Sequence, residues 1–146
     1  MKNIIIIKNK KIKIQYKMLK KFIAGLVLIK DEIKNIRNKN LNINNSYCII
    51  QNNEIFINNI NFIHYKCNNK YYKRRNIKLL LNKFEILKIS KQIKIYNYSI
   101  IPYKIFLKNN ILAKIVIYIC KSLKKYDKRF LLKEKEFKNY NYKYDL

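Results

Sequence analysis

A mainly β domain of antiparallel strands, with two or three flanking helices and a basic C-terminal tail, is the fold class this sequence predicts. Three observations carry it. Short runs rich in β-branched and aromatic residues recur at strand length, among them SYCIIQ, EIFINNI, YSIIPYKIFLK and IVIYIC. Asn pairs stand between neighbouring runs, Asn52-Asn53 and Asn109-Asn110, where a hairpin needs residues that tolerate positive φ. Helical periodicity shows in only two places, one short and one longer.

Taken in order, residues 1–13 form a basic, Asn-rich arm whose composition is compatible with disorder. Ile14 to Ile29 reads mostly as strand, interrupted at Lys20-Lys21. DEIKNIR, Asp31 to Arg37, spaces Ile33 and Ile36 for a short helix with acids in its first turn. A hairpin around Asn52-Asn53 follows. HYKCNNKYYKRRN, residues 64–76, lacks periodicity and reads as an exposed basic loop. IKLLLNKFEILKI puts Leu80, Phe84 and Leu87 at i, i+4 and i+7, the spacing of a helix with one buried stripe. Two further strands flank Asn109-Asn110, with Pro102 confined to an edge or bulge. Five or six antiparallel strands, with one short helix early and a longer one between the third and fourth strands, suit a small oligonucleotide-binding (OB-like) barrel. The expected organisation is an arm at 1–13, the barrel at 14–121 and a tail at 122–146.

A chain of 146 residues is long enough for one domain with a core. Lys and Arg number 34 against 8 Asp and Glu, a formal net charge of +26. That much like charge opposes compaction unless a polyanion offsets it, so nucleic acid or an anionic membrane is the expected partner class. The apolar runs FIAGLVLI and IVIYIC are far shorter than the ~20 residues of a membrane span. The N-terminus has a basic stretch before an apolar one, as a signal peptide does, but DEIKN follows it and no small-residue cleavage site. Cys48, Cys67 and Cys120 are scattered without CxxC spacing, as reduced thiols in a reducing compartment would be. Lys, Asn, Ile, Tyr and Phe abound while Gly, Pro and Ala are scarce, the mark of an AT-rich genome. The cytoplasm of an AT-rich bacterium or the stroma of a plastid or apicoplast-type organelle is the matching location.

Catalytic chemistry finds little footing. His64 is the only histidine and has no carboxylate near it in sequence; one glycine cannot build a phosphate loop. The acids are dispersed, and structural or solvating positions account for them. No enzyme, metal or cofactor is expected. Basic residues interleaved with aromatics are what remains. The segment KCNNKYYKRRNIK carries Tyr72, Lys73, Arg74, Arg75 and Lys78, where cations neutralise phosphate and tyrosines stack on unpaired bases at ~1–3 kcal/mol each.

Seven segments line up, in order, with one family: FIAGLVL (22–28), EIKNIR (32–37), NINNSYCII (42–50), EIFINNINFIHY (54–65), RNIKLLLNKFEILKI (75–89), IIPYKIFLKNNILAKI (100–115) and KSLKKYDKRFLLKEKEF (121–137). KLLLN followed about 45 residues later by KKYDKR is the specific part. On these the chain resembles the SmpB family, the SsrA-binding proteins that partner transfer-messenger RNA (tmRNA) in rescuing stalled ribosomes. The resemblance implies an OB-like barrel that holds the tRNA-like domain of tmRNA, with Leu80 and Asn82 matching the family's RNA-holding Leu and Asn. Departures stand beside the matches: Ile23 replaces the usual Glu before Ala-Gly, and Arg75-Asn76-Ile77-Lys78 is one arginine short of Arg-Xaa-Arg-Lys. Ser122 stands for the family's Gly, and Phe137 for the tail's Trp.

The tail is implied to enter the empty messenger channel of the stalled ribosome and meet small-subunit rRNA. Residues 121–146 hold nine Lys/Arg against four Asp/Glu, a balance expected to be disordered alone and helical on the ribosome. Lys124, Lys125, Tyr126, Asp127, Lys128, Arg129 and Lys133 are its candidate contacts: Tyr126 for stacking, Lys128 and Arg129 for backbone, Asp127 to orient Arg129 or cap the helix. EF-Tu with GTP would be met only indirectly, through aminoacylated tmRNA, by a monomer with no membrane partner. A ribosomal protein with a similar barrel, bound permanently to rRNA, is the alternative these residues leave open.

Overall fold

The computed structural model describes residues 3–62, 76–109 and 111–144. Its elements run β1 (Asn3–Lys8), α1 (Ile12–Gln15), β2 (Tyr16–Leu26), α2 (Lys30–Arg37), β3 (Leu41–Asn42), β4 (Tyr47–Gln51), β5 (Glu54–Asn58) and β6 (Asn61–Phe62). Then come β7 (Ile77–Leu80), α3 (Lys83–Tyr96), β8 (Ser99–Lys108), β9 (Leu112–Ser122) and α4 (Lys125–Tyr144). Every strand pairing among the described residues is antiparallel.

Six strands close on themselves in the order β8-β4-β5-β7-β2-β9, with β9 returning to β8 and β1 added on the outside of β8. The long β8–β9 and β2–β9 ladders carry most of the closure, whereas β4 meets β8 at one pair, Cys48 with Ile100. This is the expected OB-like barrel, narrow at the β4–β8 seam. Alternate residues point inward: Phe22 and Ala24 from β2, Ile55 and Ile57 from β5, Ile77 and Leu79 from β7, Ile115, Ile117 and Ile119 from β9. Ile36 of α2 and Ile89 of α3 join this core from the flanking helices. β-Branched side chains suit it because they lose little freedom on a pleated surface.

The turns follow from a chain almost without glycine. Six described non-Gly residues have positive φ, and all but Lys39 are Asn: Asn52, Asn53, Asn59, Asn97 and Asn109. Asn52 and Asn53, at φ 50° and 60°, join β4 to β5 as a two-residue hairpin, with Gln51 opposite Glu54. Asn97 ends α3 in the left-handed conformation. Pro102 sits where the β8–β9 register slips, between Pro102 and Lys104, so its missing N–H disturbs no regular ladder. A second slip, between Met18 and Lys20 of β2, bulges at Leu19, whereas Lys20 and Lys21, the expected site of an interruption, pair regularly with Ile119 and Tyr118.

Three expectations need correction. Residues 1–13 are not a loose arm: β1 runs along β8 from Asn3–Lys108 to Lys8–Lys104, and Ile12 of α1 is fully buried. Asn9 ties the two together, donating Nδ2 to Pro102 O (3.0 Å) and its backbone N–H to Tyr103 O (2.6 Å). Ile6 and Ile7 pack half-buried against the core, a gain that outweighs bringing the flanking Lys8 towards the sheet. Leu80, Phe84 and Leu87 are not a buried stripe, since they are 54%, 79% and 52% exposed. Leu80 belongs to β7, Asn82 starts the helix, and the row Ile86, Ile89, Ile93 packs on the core instead. The longer helix therefore follows the fourth barrel strand, not the third. Residues 125–144 form α4, whose good helix formers extend over 20 residues from a contact with α1.

Candidate RNA-binding surface

β7 alternates, so Leu79 enters the core and Leu80 turns outward. On β2 the same alternation sends Phe22 and Ala24 inward and Ile23 outward, with Gly25 beside it. Gly25 is paired with Leu80 on one side and with Lys114 of β9 on the other. The outer faces of three strands therefore meet beside the start of α3. Asn82 is the N-cap of that helix, and Glu85, three residues on, accepts the Asn82 backbone N–H on Oε2 at 3.2 Å.

Two contiguous grooves result. One, of about 290 Å³, is lined by Ile23, Gly25, Leu80, Leu81, Asn82, Glu85 and Lys114. The other, of about 430 Å³, is lined by Lys20, Lys21, Phe22, Ile23, Glu85 and Lys88. Ile23 and Glu85 border both, which makes one trough in which the outward Ile23 and Leu80 stand beside a carboxylate and four lysines. Phe84 and Leu87 extend the exposed apolar surface along α3. Monomeric proteins rarely leave such surface open without a partner for it. An apolar floor between cations suits an unstacked nucleotide, whose base needs a surface and whose phosphates need charge.

Of the expected RNA contacts, Leu80 and Asn82 stand in the trough. Lys78 stands outside it, and its Nζ donates to Glu54 Oε1 at 2.9 Å, so its charge already has a partner. Tyr72, Lys73, Arg74 and Arg75 lie outside the described residues, as does His64. Sequence reasoning passed over Glu85, Lys88 and Lys114. The Asn82-x-x-Glu85 spacing was the one available signal, and it announces only a helix start.

The tail leaves from the other end of the same ladder. Ser122 is opposite Tyr16, whereas Lys114 is opposite Gly25, nine residues along β2 and roughly 30 Å away at ~3.3 Å per residue. Lys124 precedes α4, and Lys128 N donates to Lys124 O at 3.1 Å. Lys125, Tyr126, Asp127, Lys128 and Arg129 fall in the first turns of α4 and Lys133 lies further along it. Arg129 and Lys133 are exposed and Lys128 is half-buried. Asp127 is the third residue of α4, inside the first turn and not at its cap.

The two described thiols, Cys48 and Cys120, stay within the core, and Cys67 lies outside the described residues. Burial pushes the Cys120 thiol up to about 12, and burial, with Cys120 nearby adding to it, raises Cys48 further still. Among the described residues no three His, Cys, Asp or Glu side chains gather to hold a metal, and no helix is long and apolar enough to cross a membrane.

Comparison with known proteins bears on the family and the fold. The sequence profile of the SmpB protein family matches residues 6–144. An SsrA-binding protein of Mycoplasma mycoides is 41% identical over 145 residues, covering 93% of this chain and 97% of the relative. One from the Wolbachia of Brugia malayi is 38% identical over 135 residues, 91% of each chain. One from Listeria welshimeri is 39% identical over 136 residues, 92% of this chain and 88% of the relative. A solved structure described as "tmRNA-SmpB: a journey to the center of the bacterial ribosome" superposes with a TM-score of 0.63. It covers 82% of this chain and 85% of its own at 23% identity, a likeness of fold. With the family profile spanning nearly the whole chain and relatives sharing two residues in five, this protein belongs to the SmpB family.

Proposed function

We propose that the protein is a non-catalytic adaptor of trans-translation that binds the tRNA-like domain of tmRNA and delivers it to stalled ribosomes. The observation that carries this reading is the trough: Leu80 and Asn82 stand on an outward-facing surface where exposed Ile23 and Leu80 lie among four lysines. A tRNA-like domain with unstacked loop bases offers such a surface both bases and closely spaced phosphates. The relatives are named for binding SsrA RNA, and the charge of +26 suits a polyanionic partner. On this reading the trough and the basic segment Tyr72–Arg75 face tmRNA. α4, starting at the far end of the β2–β9 ladder, faces the small-subunit rRNA of the empty messenger channel. EF-Tu with GTP comes to the complex through aminoacylated tmRNA. The reaction then belongs to a bacterial cytoplasm or to a plastid stroma, wherever the ribosomes are.

Titration of the full chain with a tRNA-like domain of tmRNA, and with random duplex RNA of equal length, tests this. Binding should be 1:1, prefer the tRNA-like domain at physiological salt, and weaken steeply as salt rises. Leu80→Ala and Asn82→Ala should each cost about tenfold, in the range of one lost stacking or hydrogen-bond contact. Equal affinity of the wild type for both RNAs overturns the reading.

A further inference from the structure

Glu85 is the one carboxylate bordering the trough among the described residues, and it borders both grooves. Around it stand Lys20, Lys21, Lys88 and Lys114. Its capping duty occupies one oxygen: Oε2 accepts the Asn82 N–H at 3.2 Å, and among the described residues no hydrogen bond engages Oε1. Glu32 of α2 holds the Ile29 N–H in the same way, at 3.2 Å, yet is only 1% exposed. A cap has no need to face a groove, and Glu85 faces two.

A carboxylate there is a poor neighbour for phosphate and a good one for N–H donors, because an ionised carboxyl group only accepts hydrogen bonds. Its place beside the apolar Ile23 and Leu80, among the four lysines, is where the edge of a base lying on that floor would come. We infer that Glu85 determines which RNA is accepted, its Oε1 taking a hydrogen bond from the N–H donor edge of an unstacked base seated on Ile23 and Leu80. The inference rests on the RNA-binding reading above and adds selectivity to it. The four lysines then hold the flanking phosphates and supply affinity without choice. Glu85 supplies the choice, because a base turning a lone pair towards it is repelled where a donor is held.

Glu85→Gln separates this from a capping role. Gln keeps the cap, its amide oxygen accepting the Asn82 N–H, which leaves its NH2 facing the trough as a donor against a donor. The substitution also removes a negative charge from a cationic surface. Were Glu85 only a cap, the variant would bind every RNA equally well or more tightly. The expected result is the opposite sign for one RNA: affinity for the tRNA-like domain falls about tenfold, while affinity for random duplex RNA holds or rises. A melting curve establishes that the variant is folded. If it is not, Glu85→Asp, which keeps the charge and withdraws the oxygen, should show the same loss of preference. A wild type that prefers the tRNA-like domain, with a folded variant that prefers it equally, overturns the inference alone. A wild type without preference overturns the function reading, and this inference with it.

Discussion

Gly25 lies so close to Leu80 across the β2–β7 ladder that a Cβ placed on the glycine would stand 3.3 Å from Leu80 Cβ and 3.5 Å from Leu80 Cδ1. Its φ is not positive, so the glycine is needed here for closeness and not for backbone freedom. The leucine it supports is more than half exposed, and what the close approach fixes is the floor of the trough.

Gly25→Ala should therefore leave the barrel folded and disturb its surface. The tightest contact is with Leu80 Cβ, which side-chain rotation does not move, so the two strands must part by a few tenths of an ångström and stability should fall by ~1–3 kcal/mol. The floor would tilt with it, and affinity for the tRNA-like domain should fall several-fold. A chemical melt together with a binding isotherm checks both. A large stability loss with RNA binding intact would place the importance of Gly25 in the core.

Ile23→Glu tests the outward placement of the neighbouring position. Ile23 is 46% exposed and shares its groove with Lys20, Lys21 and Lys88. A carboxylate there keeps its hydration and gains cations nearby, so the cost should stay under ~1 kcal/mol. With the apolar seat at Ile23 lost and a second carboxylate set beside Glu85, affinity for the tRNA-like domain should fall several-fold. Thermal unfolding by more than a few degrees would mean a buried, unpaired charge.

Lys78 and Glu54 form an ion pair at 2.9 Å with both side chains more than 40% exposed, a geometry worth ~0–1 kcal/mol. Glu54→Gln should hardly change the melt. It frees an ammonium beside the RNA surface, and the log-affinity against log-salt slope should steepen by about one phosphate contact. An unchanged slope would show that Lys78 stays clear of the RNA even when unpaired.

The two core thiols give a pH prediction whose sign follows from burial. Both are raised in the folded state above an ordinary thiol value of 9.0, so the unfolded chain loses these protons first. Stability should be insensitive to them below about pH 9 and fall from there towards pH 12. In a Cys67→Ser background, native protein should resist thiol reagents at pH 8 that modify it quickly in denaturant. Rapid native labelling of Cys120 would contradict its complete burial.

Much of this architecture is legible in the residues, and the exceptions are physical. The strands around Asn52-Asn53 and Asn109-Asn110 were readable because each is a β-branched run ending in residues that accept positive φ. β7 was not, because Ile77 to Leu81 fits a strand and a helix equally until Asn82 caps the latter. β1 was hidden by its lysines and by four isoleucines without alternation. The trough could be read only in part. Leu80, Asn82 and Glu85 belong to one segment, but Ile23 and Lys114 come from two other strands that pairing alone brings together. Side-chain selectivity at Glu85 depends on which of its oxygens is free, and that is a fact of geometry.

The last prediction concerns α4 and follows from its distance from the trough. Arg129 and Lys133 lie exposed on a helix that meets the barrel near α1, at the Tyr16–Ser122 end of the ladder. Phe130, Leu132 and Phe137 are exposed there too, so the helix carries apolar surface and cations that the barrel does not use. A groove walled by rRNA offers phosphates for the lysines and bases for the rings, and it would offset the entropy of holding the helix in place. Arg129 adds a bidentate phosphate contact that lysine cannot copy. Replacing Asp127, Lys128 and Arg129 together by Ala removes charge from the first turn but leaves the trough untouched. Affinity for the tRNA-like domain should stay within a few-fold of wild type, apart from a slightly shallower salt dependence. Peptide tagging on stalled ribosomes in a reconstituted system should be abolished, because tmRNA would arrive without its channel-reading element. Should both activities fail together, α4 serves tmRNA binding; should neither fail, the ribosome is met by some other part of the barrel.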